Sequence, residues 1–380
     1  GDLWFSSESG LHLYRRTARR WRALAYPGLD PRNRVNDVLV RPGGEIWIAT
    51  HDGVTRWRDG VEVEWIQDVD GEPLGPVTSL AADSAGGVWI AGGATFPGVA
   101  RWSEEGWERL GPEQGWDAGT VHSIHVTRDG SLWFAALGST DAAREGGGFL
   151  RYEGGVLERW VDPDGLLANR AYSFDEADDG SLWFGSRAGV ARWHAGVWTS
   201  WDAERGIGAG ASLRAPQTRA FTLLSDGEGG AWFGYGPDAP QGLGHILADG
   251  TIEHFFVEDG LPDNAVKEIA RDPFGDLWIS TPRGVARRNE EAWAVFDGAT
   301  GLNPVNTWPL AFDEESVLIG TTLGVLVLDR SEERNPPPRV SLLNPVSVEG
   351  GVVRAQWDVR AFRGELPAPE VRVRHRIDSR

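Results

Sequence analysis

The side chains that could do chemistry are few in kind. The sequence has no Cys, no Met, eight His and a single Lys, Lys267. Without Cys there are no disulfides, thiolate zinc sites or cysteine nucleophiles, while the redox compartment stays open. No H-E-x-x-H, G-x-S-x-G or phosphate-binding loop is present. His122 and His125 are three apart on a stretch that reads as a strand, so they point to opposite faces and make no chelate. The runs DVDG at Asp68–Gly71 and DPDG at Asp162–Gly165 carry acids in a calcium-like order. Both lack the further ligands and closing Glu of a calcium loop, and Asp and Gly are ordinary turn residues. No catalytic residue, metal or cofactor is therefore expected, and the chain reads as a non-enzyme. What remains is a set of polar, cationic and aromatic side chains: Arg34, Asn36, Thr78, His122, Arg170, Tyr172, Arg219, Lys267, Asn306 and Trp308. They suit a polar ligand with hydroxyls or carboxylates, if the fold brings them together.

The elements that would do so are repeats. Glycine followed shortly by Trp and an aromatic or aliphatic residue occurs as GDLWF, GEIWI, GGVWI, GSLWF, GSLWF, GGAWF and GDLWI, with a worn eighth copy, ESVLI, at Glu315–Ile319. The key positions are 4, 47, 89, 133, 183, 232, 278 and 318, so successive gaps run from 40 to 50 residues. That period, with short strands, signals a β-propeller. Each copy predicts four strands. In one, Ala171–Glu176, Leu182–Ser186, Val190–Trp193 and Val197–Trp201 are separated by DDG, AG and similar reversals. The Trp strand is apolar on both faces, as a blade sandwiched between two others requires. The repeated Trp are core, not a ligand-stacking ladder.

The ends are uneven, and two closures fit. Eight blades could form one ring whose last blade is completed by an N-terminal strand. Alternatively, seven blades form the ring, Trp21–Leu24 completes the last one, and residues 1–16 belong to an upstream propeller. The fold expected is thus all-β: a propeller of seven or eight four-stranded blades over residues 1–330. A charged, proline-rich linker follows at 331–338. Residues 339–380 read as the start of a β-sandwich of immunoglobulin or fibronectin type, with alternating strands at Val352–Val359 and Val371–Ile377. With no initiator Met and a short tail, the chain is expected to be a fragment or a processed product.

The order V-x-x-I, D-x-x-G-x-L-W-x-x-T, G-V-x-R-W resembles the two-component regulator propeller repeat. Val266–Ile269 with Asp272, Gly275, Trp278, Thr281 and Gly284 carries it, as do Asp83, Gly86 and Trp89. The tail, NPPPRV at Asn335–Val340 and VRVRHRIDSR at Val371–Arg380, resembles the triple-tyrosine sandwich that often follows such propellers, with His375 where Tyr is usual. The resemblance implies a periplasmic or extracellular sensor, part of a membrane-anchored protein with a histidine kinase or diguanylate cyclase output outside these residues. A second copy of the full-length receptor is a further candidate partner.

Antiparallel alternation places the connections into each innermost strand on one face, together with the longest loops, at 137–148, 202–217 and 235–242. The ten residues named above stand at or just before those innermost strands. They would ring a central pocket. The partner expected is a small polar ligand, such as a carbohydrate or carboxylate, or a protein. With 37 Lys and Arg against 56 Asp and Glu, the net charge is −19. That argues against nucleic acid and anionic membrane surfaces as partners, and no apolar run reaches the roughly 18 residues of a membrane span. Two rivals stay open. One is a lyase resembling streptogramin lyases, in which His122 or His51 would meet acids at the centre. The other is a non-catalytic protein-interaction propeller with an apolar rim patch.

Overall fold

Six strands of the Gly-x-x-Trp type, Ile46–Thr50, Val88–Gly92, Leu132–Ala136, Leu182–Ser186, Ala231–Tyr235 and Leu277–Thr281, are buried at every residue. Burial on both faces is what forces sheets to stack face to face around an axis. The computed structural model describes residues 21–329, apart from 94, 97, 117–118, 138–146, 161–169, 208–218, 239, 290–291, 299–301 and 303–305. Outside that span it describes the backbone of the strands Leu3–Ser7, Gly10–Tyr14, Arg339–Leu342, Ser347–Glu349, Val352–Arg354 and Trp357–Arg360.

Seven antiparallel four-stranded blades form the propeller. Their innermost strands are Val35–Val40, Val77–Ala82, Val121–Val126, Ala171–Glu176, Ala220–Ser225, Glu268–Arg271 and Leu310–Phe312, in blades 1 to 7. Each packs against the next, and the last returns to the first. The outermost strand of blade 7 is Trp21–Leu24, which pairs with Gly324–Asp329. Of the two closures, the structure adopts the seven-bladed one. The eight-bladed ring is ruled out because the first repeat, Leu3–Ser7 with Gly10–Tyr14, makes a separate two-stranded sheet. In the tail, Arg339–Leu342 pairs with Trp357–Arg360 around the hairpin Ser347–Glu349 and Val352–Arg354. The strand expected over 352–359 is thus two, each with its own partner. The linker at 331–338 and the strand expected at 371–377 lie outside the described residues.

The repeat has a packing logic. Each Trp faces a cation directly across the strand pair: Trp47 with Arg56, Trp89 with Arg101, Trp133 with Arg151, Trp183 with Arg192 and Trp278 with Arg287. The guanidinium lies over the indole, 4.9 Å from the Trp47 ring and 5.4 Å from those of Trp183 and Trp278. The same cation pairs with a turn acid, as Arg101 Nε does with Asp83 at 2.6 Å and Arg192 with Asp179 at 2.8 Å. Blade 5 substitutes His245, stacked 3.8 Å from Trp232 and 2.9 Å from Asp226. In worn blade 7, Leu318 faces Val327, so the Trp and its cation are lost together.

The glycine of G-V-x-R-W is steric. At Gly189, φ is +145° and a Cβ would collide with the carbonyl oxygen of Trp201 at the end of the outermost strand. At Gly324 the same collision would be with Leu24, so the N-terminal strand meets the ring as an ordinary fourth strand does.

Candidate functional site

In blades 1 to 5 the innermost strand carries a bulge after its first residue. A bulge breaks the two-residue alternation, so two successive side chains can face the axis. The bulged residues are Asn36, Thr78, His122, Tyr172 and Phe221; Lys267 and Trp308 stand at the equivalent position in blades 6 and 7. All seven line a central cavity of about 510 Å³. The next residues, Asp37, Ser79, Ser123, Ser173, Thr222 and Glu268, line it as a second layer.

This second layer stitches the blades together. Its oxygens accept from the main chain of the following blade: Asp37 Oδ2 from Leu80 N at 2.7 Å, Ser79 Oγ from Ile124 N at 3.1 Å, Thr222 Oγ1 from Ile269 N at 3.2 Å and Glu268 Oε2 from Leu310 N at 3.2 Å. Between blades 3 and 4 the direction reverses, and Ser123 Oγ donates to Tyr172 O at 3.0 Å. Ser173 Oγ is buried without a protein partner among the described residues. Backbone groups must be satisfied in a buried ring, and here side chains supply what the sheets do not.

The first layer is divided. On one side His122, Tyr172, Phe221 and Trp308 form an aromatic wall. The His122 ring lies 4.8 Å from Phe221 and 5.4 Å from Tyr172, and Phe221 lies 5.6 Å from Trp308. The other side is polar. Asn36 Nδ2 donates to Val77 O at 2.7 Å. Lys267 Nζ donates to Asn306 Oδ1 at 2.6 Å and lies 4.6 Å from the Trp308 ring centre.

Seclusion from bulk water governs the charges. Burial pushes the Asp37 carboxyl up to about 6 against the pull of its hydrogen bonds from Leu80 and Val38. It pushes Glu268 well above the usual range, helped by repulsion from Asp37. Burial also lowers His122 to about 4, against a bond between Nδ1 and Tyr172 O at 2.8 Å, and Lys267 to about 8. His122 is thus neutral at pH 7, with Nδ1–H donated and Nε2 unprotonated. His51, which also lines the cavity, is lowered first by burial and then by Arg34.

Of the ten residues singled out by sequence, six line the cavity: Asn36, Thr78, His122, Tyr172, Lys267 and Trp308. Arg34, Arg170, Arg219 and Asn306 are not among the lining residues. Each stands two positions before a residue of the first layer, at the rim. Arg219 pairs with Asp238 at 2.5 Å and lies over the Tyr172 ring at 5.5 Å. Arg170 bridges to Leu137, and Asn306, with φ of +56°, holds Lys267. Phe221 and the whole second layer escape a reading based on strand starts. Their signal is the recurring order apolar, variable, polar, apolar, as in Val77-Thr78-Ser79-Leu80 and Val121-His122-Ser123-Ile124, which breaks strand alternation.

Among the described residues no carboxylate hydrogen-bonds His51 or His122, and no group of three His, Asp or Glu is placed to hold a metal. Asp68–Gly71 lies in a tight hairpin, Asp68–Val69 pairing with Glu72–Pro73, with Asp70 at φ +53° and Gly71 N bonded to Asp68 Oδ1 at 3.1 Å. Asp162–Gly165 and much of the long loops, at 138–146 and 208–218, lie outside the described residues. No described helix is long and apolar enough to cross a membrane.

Comparison with known proteins agrees with this architecture. Residues 260–283 match the family model described as two component regulator propeller, so the chain carries that repeat. The extracellular domain of a hybrid two component system, BT3049 of B. thetaiotaomicron, is similar with a TM-score of 0.65 and 14% identity, over 93% of this chain and 49% of that one. The extracellular domain of a one component system, BT4673 of the same organism, gives 0.63 and 17%, over 84% of this chain and 41% of that one. The chain therefore spans about half the length of these domains, or less. Virginiamycin B lyase from Staphylococcus aureus gives 0.61 and 15%, over 81% of this chain and 98% of that one. At these identities the likeness is one of fold. No curated protein matches the sequence.

Proposed function

We propose that this chain is the ligand-sensing propeller of an extracytoplasmic, membrane-anchored receptor, and that a small polar ligand binds in the central cavity. The observation that carries the reading is the convergence of seven equivalent positions, five of them bulged, on one cavity, with an aromatic wall facing a polar one. The repeat, and the likeness to extracellular domains of signalling systems, support the receptor context. Ligand capture would act by favouring one arrangement of the ring against the following sandwich or a second protomer, and that preference would pass to an output module. The tail fits the start of the triple-tyrosine sandwich in position.

The lyase reading is weaker. It needs a His working with an acid at the centre. His122 instead spends Nδ1 on a backbone carbonyl, between aromatic rings. Virginiamycin B lyase shares the fold, and fold does not carry chemistry.

The test is a thermal-shift screen with sugars, carboxylates and other small polar solutes, followed by calorimetry on the hits. Binding should fall at least tenfold in Trp308→Ala with the ring still folded. Hits whose affinity is unchanged in that variant place binding elsewhere. Turnover of a hit without any other protein would restore the lyase reading.

A further inference from the structure

Lys267 is the only lysine in the chain, it lines the central cavity, and it is 5% exposed. Its ammonium has neutral company, the Asn306 amide oxygen and the Trp308 ring. Among the described residues no carboxylate forms an ion pair with it. The two acids that line the cavity are committed elsewhere. Asp37 accepts from Val38 N through Oδ1 at 2.8 Å and from Leu80 N through Oδ2 at 2.7 Å. Glu268 accepts from Leu310 N.

A buried ammonium without a counter-anion is costly, and the cost is recovered when an anion arrives. The cavity beside it holds solvent space of about 510 Å³ and an aromatic wall of Phe221, Tyr172, His122 and Trp308. We propose that the cavity takes a small carboxylate with an aromatic or apolar body, its anion held by Lys267 and its body against that wall. This rests on the reading of the cavity as a ligand site and narrows it to one class.

The other charges near the cavity set the pH response. Asp37 and Glu268 would repel the anion when ionised, His51 and His122 are drawn toward neutrality, and Arg34 and Arg219 stand at the rim. Asp37 gains its charge around pH 6 and Lys267 sheds its own around 8. Both changes weaken anion binding as pH rises, so affinity falls steadily from pH 5 to 9.

The test uses benzoate and indole-3-acetate against benzamide and indole-3-acetamide, titrated by calorimetry at pH 6. In parallel, reductive methylation with labelled formaldehyde marks Lys267 and the α-amine for NMR, leaving the charge in place. The acids should bind at least tenfold more tightly than their amides and shift the Lys267 signal. Lys267→Met should abolish the preference, and Lys267→Arg should keep part of it. Equal binding of acids and amides overturns the carboxylate class, as does a preference that survives Lys267→Met. If neither acid binds, the carboxylate proposal also fails. The broader ligand-site reading fails separately, if the solute screen yields no hit sensitive to Trp308→Ala.

Discussion

Trp21 pairs with Leu328, so the strand that opens the ring in sequence is the outermost strand of its last blade. The joint is sealed by packing as well as by the ladder. Leu24 is buried in one cluster with Val325 and Val327, and the Trp21 ring meets Phe296 edge-on at 6.4 Å. Ring closure therefore depends on a four-residue strand. Leu24→Ala should cost about 2–4 kcal/mol, as buried leucine truncations do. Urea unfolding measures it, and a loss below about 1 kcal/mol would show that the seam does not limit stability.

The second layer of the cavity predicts a different pattern. Ser79→Ala and Thr222→Val each strip the acceptor from one interblade backbone N–H, of Ile124 and Ile269 respectively. Each should cost about 1–3 kcal/mol. Amide exchange should quicken at Ile124 or Ile269 while amides on the far side of the ring keep their rates. Uniform quickening would mean global loosening instead.

Asp83 concentrates the repeat logic in one side chain. It accepts from Ala85 N, Gly87 N, Trp89 Nε1 and Arg101 Nε. Burial raises its carboxyl, but the bonds from Arg101, Gly87 and Trp89 outweigh that and hold it below the ordinary value. Its contribution is present above the unfolded value, near 3.8, and is lost as pH falls through the lower folded value. Asp83→Ala should destabilise by about 2–4 kcal/mol at pH 7. The stability gap between wild type and Asp83→Asn should narrow on acidification below that range, as followed by denaturation at a series of pH values.

Lys267 predicts the opposite sign. Its folded value, about 8, lies below the unfolded 10.5, so the empty ring carries a penalty at neutral pH. That penalty fades as pH rises from 8 toward 10.5. Lys267→Met should therefore raise the melting temperature at pH 7, with a gain that shrinks through this window. A gain independent of pH would point to packing rather than charge.

The Trp period, the glycines and the doubly apolar strands were enough to predict blades, and blade 4 follows the expected boundaries within one residue. The candidate ring was legible only in part. Thr78 and His122 could be found because they open predicted strands. Phe221 could not, since an aromatic residue before Thr222 looks like core, and Asp37 and Glu268 were lost among the many carboxylates of an acidic chain.

Local pattern alone determined the blade: which strands form and where they reverse. These depend on contacts within a few dozen residues. Blade number, the place of Trp21–Leu24 and the company of Lys267 were decided only by tertiary structure. Closure joins segments from opposite ends of the chain, and a one-residue bulge turns a second side chain toward the axis. Closure leaves no mark in strand periodicity and the bulge leaves only a broken alternation, because both are settled by how the blades satisfy one another's backbone groups around the ring.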